Sequence, residues 1–475
     1  MAFWNRRKPL DLAAATDAAH RLKPTLSWPH LVAMGVGAIV GTGIYTLTGI
    51  GADLAGPAVI LSFLLCGVIC ACAAFCYAEM ATMIPAAGSA YTYSYSVLGE
   101  LLAWIVGWSL ILEYTVAAAA VAVGWSGHLA AFILAAGWNV PQELLNGVMS
   151  GGIVNLPAIL ISAIVTLLLV IGTRESATFN IVLVLIKLAG LAIFIVLAIQ
   201  AFNSVNFHPF APYGYGATAK GADRNFGMLG AAALVFFAFY GFDAVSTAAE
   251  ETKNPGRNLT IGIIGSMAIC TALYVIVAAV AIGSMPFHLF SSSRNEAPLV
   301  HILSLLNYPL AAQIVAAAVV IALPSVILVL MYGQSRIFFV MSRDGLLPER
   351  LAAVHRKRGT PVLMTVLTGL VVIVLAATLN LDQIASLANA GTLCAFVAVS
   401  VCMLVLRVRE PGRARPFRTP QPWIIGPLCI IGCVFLFAIG LSALTKWWFV
   451  IWNAFGLAFY FAYGAWRSRL ARAGA

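Results

Sequence analysis

Three ionisable side chains stand inside long apolar stretches of this 475-residue chain, and they set the chemistry open to it. Lys187 lies in Ile181-Val-Leu-Val-Leu-Ile-Lys-Leu-Ala-Gly190 with no charge beside it. Placing a lysine at the centre of a membrane helix costs at least ~2.5–3.5 kcal/mol, so such a residue is functional by default. Desolvation works against an ammonium, so a buried lysine can exchange a proton. It can also stand where a sodium ion would, against backbone carbonyls. Snorkelling to the inner surface is the bland alternative, but about ten residues, or ~15 Å, separate it from that end. Glu113 sits in Trp108-Ser-Leu-Ile-Leu-Glu-Tyr-Thr-Val116 and either lines a pathway or pairs internally. Asp243 follows Gly241 and either caps a half-helix or carries a proton.

Two apolar segments are interrupted by glycine at matching places: Gly35-Val-Gly-Ala-Ile-Val-Gly-Thr-Gly-Ile-Tyr45 and Phe236-Phe-Ala-Phe-Tyr-Gly-Phe-Asp-Ala-Val245. Lipid offers backbone groups no partners, so a membrane helix breaks only where the freed groups meet protein, water or ligand. Paired breaks in two halves of a chain point to a transporter's substrate site. At a break, one half-helix exposes N–H groups and a partial positive charge, and the other exposes carbonyls. A zwitterionic amino acid matches both. The N–H groups of Thr42, Gly43 and Ile44 are expected to hold its carboxylate. The carbonyls of Ile39, Phe237 and Tyr240 are expected to hold its amine. Glycine lets ligand and backbone approach closely. The competing reading is helix packing of the small-xxx-small kind, which Gly37 and Gly41 fit.

Hydrophobic residues make up 62% of the chain and charged ones 9%, with mean hydropathy +0.97. Soluble domains carry about 25% charge, so an all-α polytopic membrane protein is expected. Twelve spans of about 20 residues fall near 29–53, 57–84, 98–124, 156–172, 177–201, 227–250, 260–284, 309–341, 361–379, 383–406, 424–445 and 448–466. Residues 125–155 have room for a short extra helix, 202–226 reads as irregular, and Ala297–Leu306 as a short surface helix. Of 27 Lys and Arg, 22 fall on the side of the N-terminus and four (Lys220, Arg224, Arg294, Lys446) on the other; the last is Lys187. The positive-inside rule then puts both termini in the cytoplasm. It also accounts for the net charge of +10 as attraction to anionic headgroups, with no nucleic acid partner. The run after Trp28 is too long, and lacks small-residue spacing, for a cleaved signal.

The two broken segments are the first and sixth spans. Five spans per repeat invert the second copy in the membrane. The expected organisation is therefore a cytoplasmic segment 1–28, a first repeat 29–201, a second repeat 227–406, appended spans 424–466 and a tail 467–475. Glu79, Glu250 and Glu251 fall at inner ends, where gating or pairing with loop arginines is expected. The nine cysteines lie in apolar spans, and four of them (Cys66, Cys70, Cys72, Cys76) crowd one helix without His or carboxylate at ligand spacing. They read as small apolar side chains, and no metal or cofactor is expected.

At Gly35–Gly49, Glu79–Gly88, Ser89–Leu98, Trp108–Tyr114, Phe237–Pro255 and Ser335–Pro348 the chain resembles the amino acid–polyamine–organocation superfamily, and within it the cationic amino acid transporter family, as a bacterial member. The likeness covers residues 25–465. It implies the leucine-transporter fold, alternating access and proton coupling through the lysine matched by Lys187. In Ala322-Leu-Pro-Ser-Val-Ile-Leu-Val-Leu-Met331, Leu330 falls where cationic-selective relatives carry a small polar residue, and Pro324 departs from them. An apolar Leu330 favours neutral substrates. The leading expectation is a proton-coupled symporter of neutral L-amino acids in the cell (inner) membrane. The alternatives are an exchanger of amino acids or polyamines, a sodium-coupled carrier, and a transporter-like nutrient sensor. A small membrane-protein partner is left open. No nucleotide loop or nucleophile–base set suggests an enzyme.

Overall fold

A computed structural model describes residues 6–10, 24–135, 141–171, 174–219, 225–292, 297–353, 361–378 and 381–473. Arg21, Lys23, Lys220, Arg224, Arg294, Arg356, Lys357 and Arg358 of the charge argument lie outside them. The helices run in order: α1 (Trp28–Ile39), α2 (Thr42–Tyr45), α3 (Leu47–Ala55), α4 (Val59–Met83), α5 (Ser89–Val97), α6 (Glu100–Ala135), α7 (Leu156–Ile171), α8 (Arg174–Ala198), α9 (Met228–Val235), α10 (Ala244–Thr247), α11 (Pro255–Ser284), α12 (His288–Ser292), α13 (Pro298–Leu305), α14 (Pro309–Ala322), α15 (Pro324–Arg343), α16 (Val362–Thr378), α17 (Leu381–Arg409), α18 (Pro422–Phe435), α19 (Ala443–Phe459), α20 (Ala465–Arg467) and α21 (Arg469–Ala473).

Among the described residues, nine helical stretches are long and apolar enough to cross a membrane, and α1, α7 and α16 are shorter apolar helices. The fold is an all-α polytopic membrane protein. Proline stands in the first turn of α1, α11, α14 and α18, where its fixed φ suits a helix start and its missing N–H costs nothing. The extra helix looked for after the third span is instead a continuation of α6 to Ala135, followed by short turns at Gln142–Leu144 and Val148–Ser150. Among its described residues, the loop before Met228 holds a 3-10 turn at Ser204–Phe207 and a two-residue antiparallel pair, Thr218 opposite Phe226. The surface helix expected at 297–306 is α13.

Packing sorts the helices into two groups. Helix α11 lies along α4 and α1, while α15 and α17 lie along α6, and α16 lies along α7. The two broken segments pack on each other between these groups. A side chain at Gly43 would fall on the Cα of Ala238, and one at Gly241 would stand 2.7 Å from the Cβ of Ala38. Each break thus presents a glycine to an alanine of the other. Close helix packing does account for Gly37, whose Cβ would meet Asn180 and Val184 of α8 at 3.0 Å. All nine cysteines are free thiols, and Cys429 and Cys433 stand 4.0 Å apart at sulfur.

Candidate functional site

The first break runs from Ile39 to Thr42. Val40 and Gly41 are extended, with φ, ψ of −72, 92 and −139, −152, and α2 begins at Thr42. The last carbonyls of α1 have lost their helical partners, and buried side chains replace them. Lys187 Nζ donates to the carbonyls of Gly37 at 2.6 Å and Val40 at 2.8 Å. The Tyr274 hydroxyl donates to the carbonyl of Ile39 at 2.6 Å. Tyr45 of α2 donates to the carbonyl of Lys187 at 2.9 Å. Lys187 is wholly buried, which removes the snorkelling alternative: its ammonium is fixed under the break, not at the surface. The opening N–H groups of α2, those of Thr42, Gly43 and Ile44, have no helical acceptors by construction. The Thr42 hydroxyl beside them is buried without a partner.

The second break is built differently. Helix α9 passes into a 3-10 turn at Phe236–Phe239, in which Tyr240 N–H donates to the Phe237 carbonyl at 3.3 Å. Tyr240 is extended and Gly241 has φ +106, a conformation that a side chain strains. Helix α10 then starts at Ala244. Asp243 makes no side-chain capping bond. Its Oδ2 accepts from the Tyr114 hydroxyl at 2.5 Å, so the capping role is replaced by a link to α6. Glu113 lies close enough to Asp243 for their charges to interact. The Glu113 carboxyl is buried beside the hydroxyls of Tyr240 and Thr392, and Tyr93 lies beside Ser246. Phe237 stacks on Tyr240 with ring centroids 5.9 Å apart.

Some expected residues come together here and others do not. Ile39, Thr42, Gly43, Ile44, Phe237 and Tyr240 belong to the two breaks. The Ile39 carbonyl already holds Tyr274, so one of its lone pairs is taken. Gly43 leaves room for Ala238, so its first task is contact between the broken helices. The Cβ of Glu113 packs against Gly391 of α17, and its carboxyl lies near Asp243, Thr392 and Tyr240. Leu330 is fully buried on α15. Glu79 is pinned by Arg407 (2.8 and 2.7 Å), Arg415 (3.2 Å) and the Thr419 N–H (2.8 Å); this ties α4 to α17 and the segment after it. Glu250 and Glu251 are placed otherwise. Arg343 reaches Glu250 at 3.3 Å and Arg336 reaches Glu251 at 3.2 Å, joining the turn after α10 to α15. Tyr332 adds a bond to Glu251 at 2.5 Å.

Sequence reasoning missed Tyr274, Tyr45 and Tyr114. A tyrosine buried in an apolar span needs a partner for its hydroxyl, and that signal was present at each. Thr42, Ile44, Phe237, Tyr240 and Leu330 are all buried.

The amino acid permease family model matches residues 26–460 of this chain. The branched-chain amino acid permease BcaP of Bacillus subtilis (strain 168) is 42% identical over 98% of the chain and 98% of its own length. The methylthioribose transporter of the same organism is 41% identical over 96% of the chain and 97% of its own length. The vacuolar cationic amino acid transporter 2 of Arabidopsis thaliana is 37% identical over 86% of the chain and 63% of its own length.

Proposed function

The chain belongs to the amino acid permease family, part of the amino acid–polyamine–organocation superfamily, and from that premise we propose that it is a proton-coupled symporter of neutral L-amino acids working by alternating access. It is a transporter of amino acids and not an enzyme. The finer reading rests on one observation: a buried lysine ammonium holds the carbonyl end of the first break while the N–H end of α2 is left for a ligand.

On this reading the substrate carboxylate sits on the N–H groups of Thr42, Gly43 and Ile44, where the helix end favours an anion. The amine meets the carbonyls of Phe237 and Tyr240 and the remaining lone pair of Ile39. Lys187 carries the coupled proton. Deprotonation would free the Gly37 and Val40 carbonyls from a cation and loosen α1 from α8. The pairs Glu250–Arg343 and Glu251–Arg336 close the inner side and part when it opens. Twelve crossings, a five-plus-five inverted repeat, and cytoplasmic termini in the cell membrane complete the proposal. The buried apolar Leu330, and a branched-chain permease among the relatives, support neutral substrates.

A second reading has an observation of its own. The buried carboxyls of Glu113 and Asp243, close enough for their charges to interact, suit a second ammonium, as on a cationic amino acid or polyamine, in an exchanger. Uptake of a panel of amino acids into proteoliposomes, with and without an imposed inward proton gradient, separates the two. Gradient-driven accumulation of alanine or leucine supports the symporter. Arginine or lysine moving only by counter-exchange supports the second reading and overturns the first.

A further inference from the structure

The outer half of the first segment is held on two sides by adjacent residues. The Tyr45 hydroxyl donates to the Lys187 carbonyl on α8 at 2.9 Å. Thr46, the next residue, has its hydroxyl 3.2 Å from Nε2 of His128 on α6. Thr46 is the joint of this half. Its N–H closes α2 on the Thr42 carbonyl at 2.8 Å, and its own carbonyl takes the Gly49 N–H at 3.2 Å as α3 begins. One turn earlier on both elements, a side chain on Gly124 would strike Thr42. Positions 124 and 128 of α6 therefore flank α2 from its first residue to its joint. The Tyr45 ring stands edge-on to His128, with centroids 6.5 Å apart. His128 is buried, and its Nδ1 meets no hydrogen-bond partner among the described residues. Such an atom is rare in a folded protein, and neither break accounts for it.

We infer that His128 is a second proton-binding residue, a latch on the outer side that holds α2 to α6 while neutral and releases it when charged. The inference rests on the alternating-access reading and adds a response to outside acidity. A neutral imidazole needs one donor and one acceptor partner, whereas imidazolium carries two N–H donors. Here the Thr46 hydroxyl serves one nitrogen, so a second N–H and its charge would be buried without a partner, which is costly. The surroundings supply no obvious anion. Tyr45 is the titratable group that α2 turns to the ring. Helices α7, α14 and α16, packed along α6, contain no titratable residue. Asp53 lies about two turns beyond Thr46 on α3 and has an interaction of its own. Helix α17 opens with Asp382 and carries Cys394 further in. Helix α15 meets α6 through Gly333 and Gln334, against Tyr114 and Ile111, so its Tyr332 and Arg336 belong to that level. Helices α5 and α19 meet α6 at Gly107 and Trp108. Glu113 lies about 15 residues back along α6, or ~22 Å. Parting α2 from α6 would bring water to both ring nitrogens. The proton then binds the parted arrangement better, and an equilibrium moves by just such a difference.

The test is counter-exchange of labelled alanine or leucine in proteoliposomes, with the same pH on both sides. It is read as the apparent KM for outside substrate from about pH 8 to about pH 5, which brackets the ~6.5 of a free imidazole. KM does not depend on how much protein is folded. In wild type it should fall about threefold with acid, because apparent affinity scales with the fraction of protein open to the outside. His128→Gln leaves an amide near Nε2 for Thr46 and cannot titrate, so its KM should stay flat across the range. Thr46→Val removes the partner from the other side and should show the low KM already at about pH 8. A wild-type KM that ignores pH overturns the latch, and so does an equal acid response in His128→Gln. A Thr46→Val profile identical to wild type overturns it as well. Wild-type protein that exchanges neither amino acid overturns this inference together with the amino acid reading, whereas normal exchange with any of the other three results overturns this inference alone.

Discussion

The two breaks share a glycine hinge, but their loose ends are tied in opposite ways. At the first, every freed carbonyl named above has a side-chain donor: Lys187 on Gly37 and Val40, Tyr274 on Ile39. At the second, a tight 3-10 turn and a positive φ absorb the bend, and acids and tyrosines gather beside it. Buried polar groups are almost always partnered. The carbonyl end of the first break is therefore satisfied by side chains, and its N–H end at α2 stays open beside the Thr42 hydroxyl. The second break instead brings two buried carboxyls and several tyrosines together.

The largest effect that would break this comparison is steric. Gly241→Val puts a β-branched residue at φ +106, and its Cβ close to Ala38. Backbone strain and overpacking each cost about 1–3 kcal/mol. The variant should lose monodisperse folded protein at temperatures the wild type survives, as followed by size-exclusion chromatography. Full thermal stability would show that the sixth segment need not bend there.

Tyr274→Phe removes one neutral donor from the first break. The Ile39 carbonyl is then buried with a single interaction fewer, a loss of about 1 kcal/mol. The melting temperature should fall by a few degrees, and alanine should still bind. A variant as stable as wild type would mean that the first break is less completely tied than its geometry indicates.

The smallest effect concerns selectivity. Leu330→Ser should wet the α15 face and raise lysine or arginine uptake relative to alanine a few-fold. Wild-type protein that already prefers arginine would shift the balance between the breaks towards the acids beside the second.

Much of this is legible in the chain. Gly41 and Gly241 mark the breaks because a glycine between apolar flanks at membrane depth destabilises a helix unless the bend itself is put to use. Lys187 is legible as a buried charge, since no acid lies near it in sequence. What cannot be read is what meets what. Gly43 has the position of a ligand contact and is filled by Ala238. Glu113 and Asp243 are 130 positions apart in numbering yet lie close enough for their charges to interact, which no periodicity announces. Glu79 resembles Glu250 as an acid at an inner end, but Arg407 and Arg415 hold it on α17 and the segment that follows. Pro324 stands out in the sequence; that the Trp125 indole takes the Val320 carbonyl it leaves free depends on a helix about 200 residues away.

The central claim is that the cation under the first break is the coupling proton's seat. The direct measurement is accumulation of labelled alanine in proteoliposomes with an inward proton gradient and no sodium, for wild type and Lys187→Ala, alongside counter-exchange without a gradient. The account predicts accumulation above equilibrium for wild type, none for Lys187→Ala, and exchange surviving in the variant at a reduced rate. Concentrative, gradient-dependent uptake by Lys187→Ala would contradict it and move the proton to the Glu113–Asp243 pair at the other break.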